Sequence, residues 1–190
     1  MKFIPFLILF CLMVSSMSFA QTSEGTMEQF TLTHDDRNRS YLVYTPANYN
    51  NKQSYKLLLV LHPASTTAQQ MVDMTRFQSL ADENDIVMIF PNAINGRWNS
   101  SDSQDIDDIG FISTLLDTII AQYTIDESNI FTLGYSSGGL MTMKLRCTLS
   151  DRLRGIISYA APMTFAIANE CLSASPVSAM VIHGTVDEVF

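Results

Sequence analysis

The stretch Ile130-Phe131-Thr132-Leu133-Gly134-Tyr135-Ser136-Ser137-Gly138-Gly139-Leu140 decides the fold. Its apolar start reads as a short strand and Gly134 to Gly138 as a sharp turn. A helical pattern marked by Met141, Leu145 and Leu149 follows. In that setting a G-x-S-x-G pattern presents a serine on a strained bend, and the glycines are there because no side chain fits beside it. A glycine-rich turn with an incidental serine is the competing reading. The strand before it and the further glycine after it favour the reactive one, so Ser136 is expected to be a nucleophile for acyl transfer.

Working outward, the runs Leu57–Leu61, Ile86–Phe90, Ile130–Leu133, Ile156–Ala160 and Ala179–Ile182 are short and almost continuously apolar. Strands covered on both faces look like this, which implies a parallel sheet. Helical segments separate the runs. The clearest carries Ile112, Leu115, Leu116, Ile119, Ile120 and Tyr123 on one stripe, with Asp107 or Asp108 able to cap its start. Met71, Met74 and Leu80 mark another before the second run. Near the N-terminus, Gln29–Thr33 and Ser40–Tyr44 alternate apolar and polar residues around the turn-rich His34–Asn38, an antiparallel hairpin. The predicted class is α/β, with a mostly parallel sheet behind an N-terminal antiparallel hairpin. Active sites in such sheets gather at the carboxyl ends of the strands, where Ser136 falls.

The 190 residues suffice for one domain with a sizeable core, and 47% hydrophobic with 16% charged is an ordinary globular balance. Residues 1–20 read as a signal peptide: Lys2, the apolar stretch Phe3 to Val14, then Ser18-Phe19-Ala20 ahead of a cut before Gln21. A bilayer span needs about twenty apolar residues, so no membrane association is expected after cleavage. Residues 21–190 are the domain, secreted or periplasmic. The net charge is −8 with no Lys/Arg cluster, so nucleic acid is not an expected partner. Cys147 and Cys171 remain after cleavage, and in an oxidising compartment an even pair favours a disulfide over two separately buried thiols.

A serine hydroxyl needs a base, and the base needs a carboxylate to orient it. Asp187, in His183-Gly184-Thr185-Val186-Asp187 just past the last run, is the expected acid, with Glu188 a weaker substitute. The oxyanion needs two converging backbone donors. Ser137 N–H is one. The other should come from His62-Pro63-Ala64-Ser65-Thr66, where Pro63 has no N–H, leaving Ala64 with Ser65 behind it. Trp98 is a candidate substrate-stacking platform, against the alternative of a core tryptophan. Asp102, Asp105, Asp107 and Asp108 crowd together, but their spacing fits no calcium loop, and capping plus solvated charge explains them. No metal and no cofactor are expected.

Taken together, these motifs resemble a group of secreted α/β-hydrolases, the polyhydroxybutyrate depolymerase-like, feruloyl and acetylxylan esterases. The resemblance rests on Leu61-His62, Ala81 to Asn92, Trp98-Asn99, Asp107–Phe111, Gly134–Thr142 and His183–Asp187, and covers nearly all of residues 40–190. It implies that Ser136 is the nucleophile and Asp187 the acid, and it places cysteines at positions such as Cys147 and Cys171. Two departures stand out. Pro63 replaces the usual glycine of the oxyanion loop. The group's catalytic histidine lies beyond the acid, whereas this chain ends three residues after Asp187. Of the three histidines, His34 is expected to be solvated in the hairpin turn, His62 to brace the oxyanion loop, and His183 to pack at a strand end. The expectation is a C-terminally incomplete domain lacking its last strand, last helix and histidine, and inactive as written. The expected function is carboxylic-ester hydrolysis on feruloyl or acetyl esters of plant polysaccharide, or on polyhydroxyalkanoate. The alternatives are a non-catalytic or truncated module binding carbohydrate or protein, and a serine peptidase of the prolyl-oligopeptidase type.

Overall fold

The computed structural model of the chain describes residues 24–101 and 105–187. The expected signal peptide, Asp102 and Glu188 lie outside the described residues. Among these residues seven strands form one sheet: β1 (Thr26–His34), β2 (Arg37–Thr45), β3 (Tyr55–Leu61), β4 (Ile86–Pro91), β5 (Ile125–Tyr135), β6 (Gly155–Tyr159) and β7 (Ser178–Ile182). Their spatial order is β1-β2-β4-β3-β5-β6-β7. The β1–β2 and β2–β4 pairings are antiparallel and all the others parallel. This is the α/β-hydrolase arrangement, with the N-terminal hairpin where the alternating pattern placed it. Asp35 and Asp36, both at positive φ (49° and 56°), make its two-residue turn, the backbone shape that matches strand twist.

Among the described residues five α-helices connect the strands: α1 (Ala68–Thr75), α2 (Gln78–Asn84), α3 (Asp108–Gln122), α4 (Ser137–Thr148) and α5 (Phe165–Glu170). Because strand side chains alternate, β3 feeds two cores at once. Leu57, Leu59 and Leu61 pack with α3 and α4 residues such as Phe111, Leu115 and Met141, while Leu58 and Val60 pack with Met71, Val72 and Ala81 on α1 and α2. Each fully buried aliphatic or aromatic side chain contributes about 1.5–3 kcal/mol, so α3, which buries Phe111, Ile112, Leu115, Leu116 and Ile119, is held chiefly by its stripe. Asp107 caps it, accepting from Gly110 N–H at 2.8 Å, and that bond holds the Asp107 carboxyl below its ordinary value.

The structure departs from the sequence reading in several places. The single helix marked by Met71, Met74 and Leu80 is two helices, broken where Arg76 turns left-handed at φ 50°, and both Met74 and Leu80 are exposed. α5 carried no periodic signal long enough to read. β7 reads as a covered strand but is the sheet edge, and all five of its residues are exposed among the described residues. His34 is packed rather than solvated: its ring tilts on Phe111 and its Nε2 lies 3.2 Å from Asp107 Oδ2.

Cys147 at the end of α4 is bonded to Cys171 just past α5, closing a loop with a sequence separation of 24. In the chain-entropy model such a cross-link contributes about 3 kcal/mol. Replacing both cysteines by alanine is therefore expected to lower the urea-unfolding free energy by about that amount. A loss under 0.5 kcal/mol, by the same measure, would show the cross-link to be energetically idle.

Candidate active site

Ser136 occupies the junction between β5 and α4. Its backbone is left-handed (φ 53°, ψ −116°), a conformation that costs a non-glycine residue on the order of 1–3 kcal/mol. The surroundings enforce it. Ser136 N–H donates to Tyr159 O at 2.9 Å, tying the bend to the end of β6. A Cβ on Gly134 would run into Gly138 O, and one on Gly138 would lie 2.7 Å from His62 O and collide with Leu61 O. Both glycines are thus required by close backbone approach. The same contacts seat the start of α4 against the loop that leaves β3.

Ser136 is the residue ahead of α4, and no side chain caps that helix. The first N–H groups of a helix have no intrahelical partner and carry its positive end, so Ser137 N–H is a donor in waiting. In the β3-exit loop, Ser65 N–H is already given to Gly96 O at 2.8 Å, and Ser65 is left-handed at φ 61°. That removes Ser65 as a donor and leaves the half-buried Ala64 amide, which has no hydrogen-bond partner among the described residues.

His62 is wholly buried. Its Nδ1 donates to Pro63 O at 2.7 Å and its Nε2 accepts from Ala93 N–H at 3.0 Å, which defines the neutral tautomer. Burial holds it below its ordinary 6.5, opposed in part by the Pro63 carbonyl and by Asp108. With both nitrogens engaged, His62 is not placed to take a proton from Ser136. Trp98, read as a stacking platform, is only 2% exposed, and its indole N–H donates to His62 O at 3.0 Å. It braces the loop from beneath and offers no ring face to a ligand.

Asp187 lies past β7, and its Oδ2 is 3.6 Å from His183 Nε2. β6 separates β7 from β5, so the two strand ends stand about 10 Å apart at the usual strand spacing. His34 is remote from all of these, at the hairpin turn against α3.

The three described members of the acidic cluster all have partners. Asp108 pairs with Arg39 at 2.6 Å, both deeply buried, and accepts Asn99 N–H at 2.8 Å. Asp107 caps α3, and Asp105 faces Arg37 at 3.7 Å. His34, Asp35 and Asp107 bring possible ligand atoms within 4.8 Å of one another, and two of the three are exposed; Asp107 Oδ1 holds the α3 cap while its Oδ2 faces His34 Nε2 at 3.2 Å. The Arg39–Asp108 pair escaped the sequence reading, although a signal existed: Arg39 has the same strand parity as core-facing Tyr41 and Val43, so its charge had to point inward.

Residues 93–190 match the family model described as Phospholipase/Carboxylesterase. Among curated proteins, feruloyl esterase D of Neurospora crassa is 26% identical over 84% of this chain and 57% of its own length. A bifunctional acetylxylan esterase/xylanase of Neocallimastix patriciarum is 26% identical over 80% of this chain and 22% of its own. The chain therefore spans little more than half of the first of these relatives and about a fifth of the second. Among solved structures, the acetyl xylan esterase from Aspergillus awamori superposes with a TM-score of 0.71 at 18% identity, covering 86% of this chain and 74% of that one. Among the described residues, no helix is long and apolar enough to cross a membrane. On these matches the chain belongs to the Phospholipase/Carboxylesterase family of α/β-hydrolases.

Proposed function

We propose that this chain carries the nucleophile, oxyanion donors and acid of an exported serine carboxylic-ester hydrolase. The observation that supports it most is Ser136, held left-handed at the mouth of α4 beside the β3-exit loop. Ser136 Oγ attacks the ester carbonyl as a histidine takes its proton, and the carbonyl oxygen becomes an oxyanion facing the Ser137 and Ala64 amides. Collapse expels the alcohol, which takes the proton back from the imidazolium. Water, deprotonated by the same base, then releases the acid and regenerates Ser136. Asp187 orients the base.

Ser136 needs a histidine as its base; His62 has both ring nitrogens committed, and His34 ends β1 at the opposite edge of the sheet from β6 and β7. His183 has one observation in its favour, its contact with Asp187. In the full-length protein His183→Ala is expected to keep kcat within about threefold, whereas a general base contributes about 10²–10⁴-fold. A loss of that size would make His183 the base. The names of the relatives support acylated polysaccharide as substrate. Release of ferulate or acetate from esterified xylan, against release of hydroxybutyrate from its polyester, ranks the substrate classes. A fluorophosphonate probe is expected to label the full-length protein at Ser136, and the absence of labelling would refute the reading. A signal peptide over residues 1–20 belongs to the same proposal, and the mature N-terminus of exported protein tests it by beginning at Gln21.

A further inference from the structure

Four hydrogen bonds join two loops that neither share a strand nor follow one another in sequence. His62 Nε2 takes Ala93 N–H at 3.0 Å, Gly96 O takes Ser65 N–H at 2.8 Å, and Trp98 Nε1 donates to His62 O at 3.0 Å. Ala68 N–H donates to Asn92 Oδ1 at 2.7 Å. The loop after β4 is thereby fastened along the whole of the loop after β3. Within the latter, His62 Nδ1 and Thr66 Oγ1 both donate to Pro63 O, at 2.7 and 2.8 Å. Pro63 fixes its own φ, and its carbonyl carbon is the atom to which Ala64 N is bonded. Pinning that carbonyl oxygen therefore sets the plane of the peptide that carries the Ala64 N–H.

We infer that His62 is a positioning residue whose neutral imidazole clips the β3-exit loop to the β4-exit loop and thereby aims the Ala64 amide. The inference deepens the ester-hydrolase reading and rests on it for the role of that amide. The clip needs one donor and one acceptor on opposite sides of a single flat ring, which neutral histidine supplies. A second proton on Nε2 would face Ala93 N–H. The buried charged groups nearby are Asp108 and its partner Arg39, and the Trp98 ring covers the imidazole at 5.2 Å.

The test uses the full-length protein. His62→Phe keeps a flat ring and loses both bonds. It is expected to lower kcat per fluorophosphonate-titrated serine about 10–100-fold, as a misaimed donor does, with KM changed less than about twofold. His62→Gln, whose carboxamide oxygen can accept from Ala93 N–H, is expected to recover about tenfold of that loss, which loss of fold alone would not produce. Counting labelled serines removes any unfolded fraction. Amide hydrogen exchange supplies the second readout: His62→Phe is expected to speed exchange at Ala93 and Ser65, whose N–H groups are bonded across the two loops, while α3 stays protected. An unchanged kcat in His62→Phe overturns the inference, as does a rise in KM in place of a fall in kcat. If the unmodified protein hydrolyses no ester, the proposed function fails. Unchanged loop exchange overturns the clip whether or not the protein is active.

Discussion

Replacing Ser136 by alanine in the full-length protein is expected to lower kcat for p-nitrophenyl acetate by about 10⁶-fold, the scale seen when a triad nucleophile is removed. Folding should survive, because the Ser136 side chain contributes no cap to α4. The more revealing variant is Ser136→Gly. At φ 53° a Cβ is a liability, so glycine should abolish turnover while raising stability by about 1 kcal/mol or more. A protein that becomes firmer as it loses activity marks strain stored for function. Activity above about 1% of the parent in Ser136→Ala would move the chemistry to another residue, since loss of a nucleophile leaves far less.

The second large effect is structural. Arg39 and Asp108 are 2% and 0% exposed and 2.6 Å apart, beneath the start of α3 and beside the Asn99 segment. The Arg39 guanidinium also lies 3.7 Å over the Phe111 ring, and burial draws its affinity for a proton down despite Asp108. Removing one member leaves the other buried and uncompensated. Arg39→Met is expected to cost about 3–5 kcal/mol in urea unfolding, and replacing both members by apolar residues considerably less. A loss below 1 kcal/mol for the single variant would mean that water reaches Asp108. The pair is remote from the elbow in the chain, yet Asp108 also accepts Asn99 N–H next to Trp98, so its loss should loosen the floor of the oxyanion loop as well.

Much of this was written in local pattern. The five apolar runs located β3 to β7, the two alternating segments located β1 and β2, and the glycines around Ser136 announced a bend whose tightness the structure explains through Leu61, His62 and Gly138. Strand ends were less visible. β5 begins at Ile125, five residues before the apolar run, because Asp126, Glu127 and Ser128 are polar and form the strand's outer end. Contacts between distant segments were less legible, the Cys147–Cys171 cross-link excepted. Nothing near Trp98 in sequence says that its indole meets His62, and a lone tryptophan reads equally as platform or as packing. β7 shows that apolar continuity reports what a strand could bury, whereas its exposure among the described residues depends on what is packed against it. His34 followed the same logic in reverse, since a hairpin turn is ordinarily wet and here lies against α3.

The left-handed backbone at Ser136 also bears on which amino acids could ever have occupied that position. Threonine carries the same hydroxyl, and chemistry alone would treat the two as interchangeable. A second substituent on Cβ makes positive φ prohibitive, however, so the bend discriminates between two alcohols of nearly equal reactivity before any substrate arrives. Threonine at position 136 is therefore disfavoured by steric tolerance, through the same backbone geometry that presents the serine oxygen.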